Sequence, residues 1–431
     1  MSTYFLPSLT SNKVIDIIKK NNFNPIFSTY QSQPKLNYGF NYYIYQTKEK
    51  TNILKEKEFK NKFYLVTNPY ETSIKDYDKD INSCSELYFS LQSGGIISRA
   101  FFKLWEILLT FDLIPSKGSI TTAHLAEAPG AFIQATDLYR TKFYPKVKKG
   151  DVYNCISIIN DKGGIPFKKE KLEKCMTKVE IHHGDLTDIN IQKAFQENVG
   201  EIDFVTADGG FEWKDENKQE QEAYRLILAE IISALRIQKT GGSFVLKIFE
   251  TFTDVTIKYL MILSTYYSNV IIHKPLTSRA TNSERYVICM NFKGIGKVEL
   301  NNLENLLVQI NSNELKQNYL NDICPDLEIP QPYKLVVMNA AIDIMNIQFI
   351  AINDMMNYIQ LNNRYGDAYH KYLENQKKSS EKWTTIYLPL DNDMLKTSKK
   401  IIEDKIQDEI KNTTDKINNL QEKLSKVNVL H

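Results

Sequence analysis

The sequence predicts an α/β protein built on a doubly wound, mostly parallel sheet with an antiparallel edge strand, an N-terminal extension and a helical C-terminal region. Three observations predict it. Between residues 121 and 292, short apolar runs of strand length alternate with longer segments of helical periodicity. Strands separated by helices require right-handed crossovers and therefore parallel pairing. The last two apolar runs, 270–273 and 285–292, are joined only by the short polar segment 274–284, which suits an antiparallel pair at one edge.

Taken in order, residues 1–85 hold a short amphipathic stretch (14–20), a Tyr-rich segment (37–45) and a charged run (48–62), and read as an extension with its own elements. Ile97, Phe101, Leu104, Trp105, Leu108 and Phe111 then recur at helical spacing, so a helix is expected over 96–111, ended by Pro115 and Gly118. Strands are expected at 121–126, 152–159, 178–182, 202–206, 243–248, 270–273 and 285–292, and helices at 130–138, 220–237 and 256–266. Beyond 296 the chain turns helical and polar. In 397–428, Ile406, Ile410, Thr413, Ile417, Leu420, Leu424 and Val427 step by four and three, a heptad seam. That seam fits a helix packed on its own protein, and it also fits self-association or partner contact through a coiled coil. The expected organisation is an extension (1–85), the α/β domain (86–295), a helical appendage (296–395) and an amphipathic tail (396–431).

Composition narrows the class without choosing a function. Of 431 residues, 42% are hydrophobic and 11% aromatic, enough for a packed core and too much for global disorder. The net charge of +2 balances 54 basic against 52 acidic residues, so charge alone does not announce a nucleic-acid partner. The five cysteines are scattered, and none forms a Cys/His cluster with zinc spacing, so neither a disulfide framework nor a structural metal is expected. The N-terminus lacks the pattern of a secretory signal, and no run approaches the roughly 18–20 apolar residues of a membrane helix. The chain reads as soluble and intracellular, with no membrane partner.

Five segments carry candidate chemistry. In His124-Leu-Ala-Glu-Ala-Pro-Gly-Ala-Phe132 a strand passes through a tight turn into a helix. Gly130 allows close backbone approach, and the helix start offers free amides to a carboxylate such as the methionine end of S-adenosylmethionine. A dinucleotide fingerprint needs three glycines here and only one is present, which counts against NAD and FAD. In Thr206-Ala-Asp-Gly-Gly210, Asp208 ends a parallel strand, where open α/β sheets bind ligands. Lys247 closes the apolar strand of Gly241-Gly-Ser-Phe-Val-Leu-Lys247, and a charge in such a strand needs a reason. Ser278-Arg-Ala-Thr-Asn-Ser-Glu284 leads into the final strand, and an antiparallel strand would start at the edge where the parallel ones end. Ser98-Arg-Ala-Phe-Phe-Lys-Leu104 puts Lys103 on the polar side of the 96–111 helix, with Arg99 and Glu106. Singly, each has an ordinary alternative: a βα turn, a simple turn, a strand-end lysine reaching solvent, a loop glutamate and an exposed helical lysine.

Their order is distinctive. Lys103, the glycine turn, Asp208, Lys247 and Glu284 fall in the order and the elements of the FtsJ/RrmJ-like ribose 2′-O-methyltransferases, and the sequence resembles that family over roughly 90–295. The strings HLAEAPGAFI, VTADGGF, GGSFVLKIF and ATNSERYVIC are similar to those of its Adrift-type mRNA cap branch, which includes eukaryotic enzymes and enzymes of large DNA viruses. The resemblance implies a Rossmann-like methyltransferase fold, S-adenosylmethionine as methyl donor, no metal, and capped RNA as substrate. It implies a catalytic tetrad of Lys103, Asp208, Lys247 and Glu284, with Lys247 as general base for the ribose hydroxyl. Cofactor contacts are implied for Glu127, Pro129, Gly130, Ala131, Phe132 and Asp208, and for Asp185 at the adenine. Two departures stand out. The turn reads PGA rather than PGG, and no acidic residue clearly ends the second strand, Asn160 or Asp161 being nearest.

A free lysine, with a pKa near ~10.4, is a poor base at neutral pH. Lys103, partial burial and a cationic sulfonium would each lower it, and Asp208 and Glu284 would raise it. Alternative expectations are a 2′-O-methyltransferase of ribosomal or transfer RNA, a catalytically silent protein that binds RNA or a partner, and a small-molecule methyltransferase, which would have no use for paired lysines. Phe211, Trp213, Tyr259 and Trp383 are candidates to stack a methylated guanine, though each also suits a core position.

Overall fold

The computed structural model describes residues 2–9, 11–31, 38–55, 70, 81–91, 95–158, 165–175, 178–210, 215–314, 318–360 and 366–428. The strands are β1 (Ser2–Phe5), β2 (Ile26–Ser28), β3 (Thr121–Leu125), β4 (Val152–Ser157), β5 (Val179–His183), β6 (Ile202–Ala207), β7 (Gln238–Ile248), β8 (Tyr267–Lys274), β9 (Arg285–Phe292) and β10 (Tyr319–Asp322). Eight of them form one sheet in the order β1-β8-β9-β7-β6-β3-β4-β5. From β7 to β5 the pairings are parallel. β9 runs antiparallel between β7 and β8. The chain steps outward from β3 to β5, then returns past β3 to β6 and β7. That reversal leaves a crevice outside the carboxyl ends of β3 and β6, where open α/β sheets take their ligands.

The mostly parallel, doubly wound sheet is as the sequence predicts, and the last two core strands do pair antiparallel. They do not close the edge. β1, from the N-terminal extension, pairs antiparallel with β8 and covers it, with Thr3 and Tyr4 buried. Four residues carry too little periodicity to announce a strand, but an unpaired edge is a liability that even a short strand removes. β2 pairs with β10 in a separate two-stranded sheet, joining the segment before the α/β domain to the segment after it. β7 begins earlier than expected. Ile202 pairs with Gln238 and Phe204 with Ser243, so the extra residues around Gly241 and Gly242 bulge out of a continuous strand.

Helices cover both faces. One face packs on Tyr224–Ile237, Asp254–Tyr266 and Lys297–Glu314, with Ile231, Leu260 and Leu306 fully buried. The other packs on Ala100–Thr110 and Ala131–Phe143, with Phe101, Trp105 and Ile133 buried. Contrary to the expectation that no run approaches membrane-helix length, the helix Gln331–Gln360 contains a stretch long and apolar enough by composition to cross a membrane, 56% of it buried in the protein. Val337, Ala340 and Ile344 place it against the sheet core. In the tail helix Asn392–Asn428, Ile402 and Ile406 are buried in the second core, and Ile410 and Ile417 pack against the protein's own side chains. The side chains of Leu420, Leu424 and Val427 lie outside the described residues.

Candidate active site

A cleft of about 1420 Å³ opens at the crevice. It is lined by Ala126 and Pro129 after β3, Ser157 at the end of β4, Asp185 after β5, Asp208 after β6, Lys247 in β7 and Glu284 before β9. Six segments far apart in sequence therefore meet at one sheet edge. The topology accounts for this: five parallel strands end there, and antiparallel β9 starts there.

Two ion pairs occupy the floor. Lys247 Nζ lies 3.1 Å from Asp208 Oδ1 and donates to the Asp208 carbonyl at 2.8 Å. Lys103 Nζ lies 2.7 and 2.9 Å from the two Glu284 carboxylate oxygens. Lys247 stands opposite Tyr286 across the β7–β9 ladder, so both side chains leave the same face, and Tyr286 Oη donates to Asp208 Oδ1 at 3.2 Å. Lys103 is only 9% exposed, so the exposed helical lysine is not what the fold makes of it. The helix itself begins at Ala100 rather than 96. Its supposed polar side turns inward: Glu106 is fully buried and accepts bonds from Leu276 N, Thr277 N, Thr277 Oγ1 and Trp383 Nε1. One helix thus docks both ends of the segment 275–284, by Glu106 at its start and by Lys103 at Glu284.

The charges act strongly on one another. Burial favours the neutral form of Lys247, but Asp208, Glu284 and Glu230 outweigh it and raise its pKa above the ordinary value. Burial likewise opposes ionisation of Glu284, yet Lys103 and Lys247 hold its carboxyl down at about 2. Behind them lie two carboxyl groups in poorer company. Burial pushes Glu230 up to about 8, against the pull of Lys247 and of the Gly209 amide, whose nitrogen lies 3.1 Å from Glu230 Oε1. A Cβ at Gly209 would sit 2.2 Å from that oxygen, so a side chain there would displace the Glu230 carboxyl.

The glycine turn is built differently from expectation. The helix after it begins at Ala131, and Gly130 precedes it with φ +110°, where a Cβ would also meet Leu172 Cδ1 at 2.8 Å. The amides expected to be free are taken. Glu127 Oε1 accepts from Phe132 N at 2.8 Å and Ile133 N at 3.1 Å, so the chain's own carboxylate caps the helix. Burial pushes the Glu127 pKa well above the usual range. Of the residues singled out around this turn, Pro129 lines the cleft, whereas Glu127, Gly130, Ala131 and Phe132 are buried and do not. Asp185 lines it too, with Oδ1 accepting from Thr187 N and Oγ1 at 2.9 and 2.8 Å.

Trp383 and Tyr259 are 1% and 2% exposed, so neither is available to stack a ligand. Phe211, Trp213, Asn160 and Asp161 lie outside the described residues. Sequence reasoning passed over Tyr286, Glu230 and Lys274. The signal for Lys274 was present, since it ends the apolar run Val270-Ile-Ile-His-Lys274 as Lys247 ends its own.

Residues 96–292 match the family described as FtsJ-like methyltransferase. An uncharacterized protein of Acanthamoeba polyphaga mimivirus is 32% identical over 264 residues, 56% of this chain and 32% of that protein. Cap-specific mRNA (nucleoside-2′-O-)-methyltransferase 2 of Drosophila melanogaster is 32% identical over 218 residues, 46% of this chain and 30% of that protein. Cap-specific mRNA (nucleoside-2′-O-)-methyltransferase 1 of Mus musculus is 36% identical over 136 residues, 31% of this chain and 15% of that protein. The matched region spans a third or less of the length of these relatives.

Proposed function

From the match of residues 96–292 to the FtsJ-like methyltransferase family, we propose that this chain methylates the ribose 2′-OH of a cap-proximal nucleotide of mRNA. The observation that carries the reading is the pairing of Lys247 with Asp208 beside Lys103 with Glu284, at the switch point of the sheet. A hydroxyl that must lose its proton as its oxygen attacks a carbon can use a lysine held this way as its base.

The donor would be S-adenosylmethionine, which supplies an electrophilic methyl group on a sulfonium cation. Four carboxyl groups, Asp208, Glu284, Glu127 and Glu230, lie in electrostatic reach of three lysines, Lys103, Lys247 and Lys274. Burial raises the pKa of both Glu127 and Glu230, and a cation bound beside them would favour their ionised forms. Pro129, Asp185 and Asp208 would contact the donor. Glu127, Gly130, Ala131 and Phe132 would shape the turn beneath it.

Lys247 would take the hydroxyl proton. Only its neutral form is a base, and Asp208 and Glu284 hold it charged while the cleft is open to water. Exclusion of water by the bound RNA and a second cation nearby both favour the neutral form. Asp208 fixes the direction of the amine through two contacts, and Tyr286 holds the Asp208 carboxylate in turn. Lys103 and Glu284 would orient the ribose.

The test is incubation of the full chain with labelled S-adenosylmethionine and one RNA sequence, capped or uncapped, followed by nuclease mapping. Label on a cap-proximal ribose is the expected result. Equal transfer to uncapped RNA would redirect the reading to ribosomal or transfer RNA, and cofactor binding without transfer would point to a silent binding protein.

A further inference from the structure

We propose that Lys274 is a positioning residue, closing the segment 275–284 on itself and so setting the Glu284 carboxylate against Lys103. The inference rests on the proposed function for its catalytic consequence, but not for the placement it describes.

Lys274 is the last residue of β8 and only 5% exposed. Its ammonium donates to the Glu284 carbonyl at 2.7 Å, to the Asn282 carbonyl at 3.0 Å and to Asn282 Oδ1 at 3.0 Å. A fourth, looser contact reaches Ser278 Oγ at 3.4 Å. Every acceptor belongs to the segment that begins at the next residue, so one side chain gathers a loop into a ring. Ser278 Oγ also donates to Glu284 Oε1 at 3.0 Å, linking the ring to the carboxylate that Lys103 holds.

None of these acceptors is charged, which makes the arrangement costly. A buried ammonium without a carboxylate on it loses hydration that neutral oxygens replace incompletely. Burial accordingly lowers its pKa to about 7, with Glu284 opposing the shift. An unbranched apolar side chain would suit the end of an apolar strand better. What the lysine supplies, and an apolar residue would not, is three donors at one point aimed at the end of the loop. The start of the loop is anchored separately, by Glu106 on Leu276 N and Thr277 N. The Lys274 ring therefore governs the Glu284 end alone.

The test compares Lys274→Met with the wild type by amide hydrogen exchange and by methyl transfer, crossed with Glu284→Gln. Exchange should quicken in 275–284 while the strands β3 to β7 keep their protection. Displacing a charged contact by an ångström slows a reaction by up to about a hundredfold, so transfer should fall between about tenfold and a hundredfold with cofactor affinity little changed. Because Lys274 acts through Glu284, the double variant should be no slower than Glu284→Gln alone. Lys274→Gln, which keeps two donors without the charge, should recover part of the loss; if the Met variant does not fold, the Gln variant carries both readouts. Unchanged exchange in 275–284 would overturn the proposal, as would losses that multiply in the double variant. If the wild type transfers no methyl group at all, the exchange arm still decides the placement of Lys274 while the function falls separately.

Discussion

The two ends of the cleft are held by opposite means. The turn after β3 is assembled from its own neighbourhood: Glu127 caps the helix five and six residues on, and Gly130 supplies a backbone conformation other residues resist. The charged end is assembled from afar. Lys103 meets Glu284 across 181 positions, and Lys247 meets Asp208 across 39. A local device tolerates loss of charge so long as its hydrogen bonds survive. A device of distant side chains depends on each charge and on everything that aims it. The turn end is a shape; the charged end is a balance of charges.

Four experiments press on that contrast. The largest effect is expected at the charged end, where Lys247→Met should slow methyl transfer by about 10²–10⁴-fold, the usual worth of a general base, while cofactor affinity measured by calorimetry stays near that of the wild type. Near-normal transfer in a folded variant would remove Lys247 from the base role. At the turn, Gly130→Val should cost about 1–3 kcal/mol in denaturant unfolding, because a branched residue is strained at that φ and must also displace Leu172. Glu127 separates shape from charge. Glu127→Ala strips an acceptor from two buried amides and should cost about 1–3 kcal/mol, whereas Glu127→Gln keeps the acceptor and should unfold at nearly the wild-type denaturant concentration. A large loss in the Gln variant would show that the turn needs the charge after all.

The last experiment turns on pH. Glu230 holds its proton to about 8 in the folded protein, but only to about 4.3 in an unfolded chain. A folded pKa above the unfolded one means the folded state binds the proton more tightly, so raising the pH from about 4.3 to about 8 erodes stability. Glu230→Gln removes this dependence and still offers an oxygen to Gly209. Its melting temperature should gain on the wild type across that window and run parallel above it. A constant offset at every pH would mean that Glu230 is already ionised when folded.

The same contrast decides what the sequence discloses. The βαβ alternation is written in local periodicity, so β3, β4 and β6 and the starts of the helices after β3 and β6 fall within a few residues of expectation, whereas the helices Lys169–Cys175 and Ile189–Val199 were not anticipated. The turn, too, is visible in PGA beside a glutamate, although not that Glu127 would occupy the amides reserved for a ligand. Competition between a chain's own carboxylate and a ligand's is settled by packing. The meeting of Lys103 with Glu284 has no local signature, and only the order of motifs and the antiparallel last strand pointed to it. Lys274, Tyr286 and Glu230 were missed because a polar residue inside an apolar element does not announce which face it takes. β1 was missed for its brevity.

That short strand has a practical consequence. The family match begins at residue 96, yet the edge of the sheet beside the segment 275–284 is closed by residues 2–5, and β2 is sewn to β10 across almost three hundred positions. The matched region is therefore not a cassette. Trimmed to 96–292, it would bare the full hydrogen-bonding edge of β8, and a bare edge recruits strands from other molecules. Anyone preparing the minimal domain should expect a protein that clumps, and should not let its inactivity count against the proposed role of Lys247.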